Sequence, residues 1–147
     1  MLVLESGFAD KNFQFGEQYS YFVRAVSLGT GGNQVESLDS NLISITPRDV
    51  YPPSAPISIT IAAAPGRLSL FFPANSERDV VGYNLYRSLD MDLAKDKWTR
   101  LNGDLLTRTT YQDDKVESNK KYYYYLTAVD SAGNTSPPSE VVSETVP

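Results

Sequence analysis

The chain has 147 residues, 41% hydrophobic and 21% charged, which fits a folded protein and allows one domain, or one domain and a piece of another. A net charge of −5 with no run of basic residues argues against nucleic acid and anionic membrane as partners. The lack of cysteine excludes disulfides and thiolate metal sites, and the lack of histidine excludes Ser-His-Asp and Cys-His catalysis together with the usual zinc ligands.

The opening residues, Met1-Leu2-Val3-Leu4-Glu5, are too few and turn acidic too soon for a secretory signal. No apolar stretch along the chain approaches the about 20 residues of a membrane span. Tyr19 to Val26 reads as a strand. Gly29-Thr30-Gly31-Gly32 follows it with no helix after it, so it reads as a flexible hairpin turn rather than a phosphate cradle. Residues 48–56 are a proline-rich connector, predicted to be short and semi-stiff because each proline fixes φ. Beyond it, Leu68, Leu70 and Phe72 alternate with Ser69 and Phe71, and Tyr83, Leu85 and Arg87 alternate with Asn84 and Tyr86. Residues 89–97 leave room for a short turn.

The longest strand signal runs from Tyr122 to Val129. One face carries Tyr122, Tyr124, Leu126 and Ala128, the other Tyr123, Tyr125, Thr127 and Val129. Period-two runs of aromatic and β-branched residues, punctuated by Ala64-Pro65-Gly66, Pro73-Ala74-Asn75-Ser76, Asn102-Gly103-Asp104 and Ser131-Ala132-Gly133-Asn134, predict an antiparallel β-sandwich.

The chain also repeats itself. Tyr19 to Val26 aligns with Tyr122 to Val129 at an offset of 103 positions, which also pairs Leu2 with Leu105, Phe8 with Tyr111, Asp10 with Asp113 and Phe13 with Val116. A period near 100 is that of whole domains in tandem. The first copy starts about midway through the unit.

Gly82-Tyr83-Asn84-Leu85-Tyr86-Arg87-Ser88, then Tyr122-x-Tyr124-x-Leu126-x-Ala128-Val129-Asp130, then Gly133-Asn134-x-Ser136-x-Pro138-Ser139, resembles a fibronectin type III domain of the kind common in bacterial surface and secreted proteins. The resemblance implies an all-β, antiparallel, immunoglobulin-like sandwich of seven strands over 57–147, preceded by a partial unit over 1–47 that supplies strands E, F and G. It puts strands A, B, C, C′, E, F and G near 56–63, 67–73, 82–88, 97–101, 105–112, 120–130 and 138–146. Tyr122 and Tyr19 become corner tyrosines, each bonding back to its E–F turn. Phe72 stands where the family usually has tryptophan, and Glu144 falls at an inward position of strand G. The economical reading is a segment of a longer multidomain protein.

The partial unit is predicted to be unstable alone. Its inward face carries Leu4, Phe8, Phe13, Tyr19, Tyr21, Val23, Ile43 and Ile45, each forgoing roughly 1.5–3 kcal/mol when left exposed, and its strand edges are unpaired. It is expected either to associate with a second copy, to pack on the complete module, or to fray.

For chemistry the sequence offers little. Asp113-Asp114 and Glu77-x-Asp79 could do acid/base work or bind calcium, but neither has further oxygen ligands nearby in sequence, so both read as solvated turn residues. Asn134-Thr135-Ser136 matches a glycosylation sequon and equally an ordinary turn. No Arg-Gly-Asp occurs. The tyrosines make the one candidate binding site: Tyr86, Tyr123 and Tyr125 on the outer C–F–G face, with Phe22 equivalent to Tyr125 in the first copy. Such aromatics anchor a protein contact, stack on a glycan, or simply brace the sheet.

The resemblance implies a non-catalytic spacer and protein-interaction module of a larger extracytoplasmic bacterial protein, without catalytic residues, metal or cofactor. The alternative is an accessory carbohydrate-binding or spacer module of a polysaccharide-degrading enzyme. Expected partners are another protein, neighbouring modules, a second copy through the partial unit, or a glycan, with no nucleic acid and no membrane insertion.

Overall fold

Every regular element in the computed structural model, which describes residues 2–147, is a β-strand apart from one turn of 3-10 helix at Lys95–Lys97. The chain divides into two units, Met1–Asp49 and Val50–Pro147. The first holds β1 (Tyr19–Tyr21), β2 (Val26–Leu28), β3 (Gln34–Glu36) and β4 (Ile43–Ile45). The second holds β5 (Thr60–Ala64), β6 (Arg67–Phe71), β7 (Val80–Ser88), β8 (Thr99–Arg100), β9 (Thr110–Asp113), β10 (Lys121–Asp130) and β11 (Val142–Thr145).

Val50–Pro147 is a sandwich of two antiparallel sheets, ordered β11-β10-β7-β8 and β5-β6-β9. Period-two side chains make the core. Leu68, Leu70 and Phe72 point from one sheet at Tyr83, Leu85, Tyr122, Tyr124, Leu126 and Ala128 of the other, all of them buried. Phe72 fills the tryptophan position with an edge-on contact to Tyr83, ring centroids 4.9 Å apart. Glu144 sits opposite Tyr122 and is half-buried, at the margin of the core. Upstream of β5, Pro53 and Pro56 are buried, and Glu77 accepts the Ser54 amide at 2.8 Å.

The run predicted as one strand over 105–112 is divided between the sheets. Leu106 exchanges both backbone hydrogen bonds with Tyr83, at 3.0 and 2.9 Å, whereas Thr110–Asp113 pairs with β6. Gly82 permits the crossing: a Cβ there would lie 2.8 Å from Leu105 Cβ and 2.9 Å from the Leu106 carbonyl oxygen.

In Met1–Asp49, β1 pairs only with β4 and β2 only with β3. The expected strand E of this unit is not a strand. Its counterpart β9 exists by pairing with β6, and the first unit has no such partner to complete the ladder. Among the described residues of the unit none is buried. Val23 is 70% exposed, while its counterpart Leu126 is completely buried.

Candidate functional site

Strands β7 and β10 run side by side with Tyr86 opposite Tyr125, and their rings stack at 4.7 Å and 11°. Trp98 closes over this pair from the segment after the 3-10 turn, its ring 5.1 Å from that of Tyr125 and its indole N–H donating to the Leu93 carbonyl at 2.8 Å. The Tyr125 hydroxyl donates to the Lys95 carbonyl at 3.1 Å. Lys95 Nζ lies 4.0 Å from the Trp98 ring centre and 5.0 Å from that of Tyr125. Burial pushes the Lys95 ammonium below the usual lysine range and the Tyr125 phenol above its own.

Tyr125 was expected on an exposed face, yet it is only 4% exposed. Residues 93–98 fold back as a lid over it, and Trp98 and Lys95 belong to the cluster that sequence reasoning missed. The signal was the chain's single tryptophan beside a predicted turn, but nothing local says which strand that turn covers. Tyr86 and Tyr123 are half-buried, with Lys121 Nζ 5.4 Å from the Tyr123 ring. Phe22 stands apart in the first unit, half exposed beneath the Arg24 guanidinium at 5.5 Å. Tyr86 and Tyr125 thus come together, Tyr123 flanks them along β10, and Phe22 occupies the same register position in the other copy.

The acidic turns behave unequally. Asp113 is 2% exposed rather than solvated: its Oδ2 accepts from Arg87 Nη1 at 2.8 Å and from the Tyr124 hydroxyl at 2.9 Å, and its Oδ1 from the Lys115 amide. Burial, then the Asp113 charge, pushes the Tyr124 phenol far above its ordinary range. This is an internal ion pair. Glu77 is held at about 2, chiefly by hydrogen bonds at Ser54. The Asn134 side chain of the sequon donates to Asp130 at 2.9 Å inside its own turn. An open groove of about 290 Å³ is lined by Arg87, Arg100, Tyr111 and Lys115 among others.

Both units carry the same polar skeleton. The Tyr122 hydroxyl accepts from the Glu117 amide at 3.0 Å, and that of Tyr19 from the Gln14 amide at 2.8 Å. Asn119 and Gly16 close the two corners with φ of 64° and 83°. Ser136 and Ser139 take the amides of Ala128 and Leu126 on their hydroxyls, as Ser37 and Ser40 take those of Ala25 and Val23. Sequence reading had not marked these serines as paired.

No family model matches the chain, and no curated protein matches it in sequence. Solved structures do. A Fn3-like protein from Clostridium thermocellum superposes with a TM-score of 0.56 at 23% identity, over 66% of this chain and 96% of its own. The fold is that of a fibronectin type III domain. The FN1–FN3 domains of chicken CNTN1 match at a TM-score of 0.59 and 18% identity, over 95% of this chain and 44% of theirs. A β-1,2-glucanase from Parabacteroides distasonis matches at 0.52 and 26%, over 80% of this chain and 16% of its own. No helix among the described residues is long and apolar enough to cross a membrane.

Proposed function

We propose that this chain is a non-catalytic spacer and protein-interaction segment of a larger, extracytoplasmic bacterial protein. The observation that carries this reading is repetition: the corner tyrosine, the acid–tyrosine bond and the serine pair recur in Met1–Asp49 and in Val50–Pro147. What the chain duplicates is scaffolding. The aromatic groups with most potential as a binding face are largely spent on it, Tyr125 being stacked, hydrogen-bonded and covered. On this reading residues 48–56 are the linker, 57–147 the complete module and 1–47 the partial one.

A second reading has its own support. Tyr86 and Tyr123 are only half-buried, and this chain resembles a small part of a β-1,2-glucanase. The accessory carbohydrate-binding role places a sugar ring on those two tyrosines. Affinity electrophoresis against a panel of soluble polysaccharides separates the two. The spacer reading expects unretarded migration on every glycan. Retardation that disappears in Tyr86→Ala and Tyr123→Ala replaces it with the carbohydrate reading.

A further inference from the structure

The two sheets of Val50–Pro147 each end in an open strand on the same side of the sandwich. β8 is the end strand of one sheet and β9 of the other, and residues of both line the groove of about 290 Å³. Thr109 accepts the Phe72 amide at 3.0 Å, which sets the phase of the β6–β9 ladder. Tyr111 and Asp113 then turn their backbone groups toward β6, and Thr110 and Gln112 turn theirs outward. Nothing among the described residues takes those outward N–H and C=O groups. They form a strand edge ready for pairing.

The charges beside that edge are unequally committed. Asp113 is satisfied by Arg87, the Tyr124 hydroxyl and the Lys115 amide, and both oxygens of Asp114 accept from Gln112 Nε2. The cations keep donors to spare. Arg87 Nη1 donates to Asp113 and to the Lys115 carbonyl, each at 2.8 Å. Those two bonds fix the guanidinium and leave the donors on Nε and Nη2 without a hydrogen bond among the described residues. Arg100 donates to the Gly103 carbonyl at 3.2 Å, and among the described residues neither Arg100 nor Lys115 pairs with a carboxylate. On a chain of net charge −5, this groove is a place where positive charge is left over.

We propose that this groove docks an extended acidic peptide, added as a strand along β9 with a carboxylate at every second position. Period two sends alternate side chains of such a strand the same way. Its carboxylates enter the groove among Arg87, Arg100 and Lys115, while its main chain bonds to Thr110 and Gln112. A peptide fits better than an acidic glycan. The outward groups of Thr110 and Gln112 recur at about 6.8 Å, two strand residues, and a second main chain matches them donor for acceptor. The inference rests on the protein-interaction part of the proposed function and gives it a surface and a partner chemistry.

The test titrates the isotope-labelled full chain with an acetylated, amidated hexapeptide of alternating glutamate and threonine, followed by NMR. Amides of residues 99–101 and 110–115 should shift and saturate. Exchange at Thr110 and Gln112 should slow at least about tenfold at saturation, the mark of strand pairing. The glutamine counterpart of the peptide should bind at least about tenfold more weakly. Arg100 and Lys115 are exposed, and Lys115 holds Arg87 through its main chain, so their side chains can be changed without opening the Asp113 cluster. Arg100→Gln and Lys115→Gln should each weaken binding at least about threefold. Arg67→Gln, the same charge change outside the groove, should not. The absence of any saturable shift overturns the proposal, as does equal binding of the glutamine peptide. Shifts confined to other surfaces overturn it but leave a protein-interaction role standing. A trisaccharide of galacturonate that fills the groove more tightly than the peptide overturns both, in favour of the carbohydrate reading.

Discussion

At Asp113 and Asp10 one residue type in one local sequence context meets two environments. Asp113 is shut in with Arg87 and Tyr124, so removing its charge strands a largely buried guanidinium. Asp113→Asn should destabilise Val50–Pro147 by about 3–5 kcal/mol, read as a shift in the urea midpoint. Asp10→Asn should leave that midpoint where it was, since among the described residues no cation pairs with the Asp10 carboxylate, and it is not buried. Glu77 gives the pH-dependent counterpart. Its folded value of about 2 lies below the ordinary 4.5, so its stabilising contribution is complete above pH about 4.5 and lost as pH falls toward about 2. Glu77→Gln keeps an acceptor for the Ser54 amide but not the charge. The acid limb of the stability curve should flatten across that window.

Among the elements, β10 is the one whose sequence reads most directly: its alternation assigns Tyr122, Tyr124, Leu126 and Ala128 to the core, where they lie. The crossing of 105–113 between sheets was not legible, because a period of two is the same on either sheet and only the partner strand distinguishes them. Gly82 carries that crossing, so Gly82→Ala should cost about 1–3 kcal/mol through overpacking against Leu105 and Leu106. The serine pair offers a comparison between elements. Ser139→Ala leaves the buried Leu126 amide without its acceptor and should cost about 1–3 kcal/mol by thermal or urea unfolding. Ser40→Ala does the same to an exposed amide that water can serve, and should be silent.

For the molecule as a whole, cooperativity should follow burial. The first unit buries no described residue, and the second holds the entire core. Urea unfolding should therefore give a single transition whose m-value is sized to Val50–Pro147 rather than to the full chain, because m scales with the surface newly exposed. An m-value sized to all 147 residues would mean that the first unit is covered in solution.

What the chain determined by itself is what is written within reach of each residue: strand periodicity, turn positions, the corner tyrosines, and the repeat that makes Leu2 the counterpart of Leu105. Tertiary structure alone decided which of two equivalent residues is buried. Asp113 differs from Asp10, and Tyr125 from Phe22, through Arg87 and the 93–98 lid, segments tens of positions away whose arrival leaves no mark on the local pattern. The same holds for strand E, which forms at Thr110–Asp113 and not around Phe8. A strand is a property of a pair, and only one of the two copies has the other member.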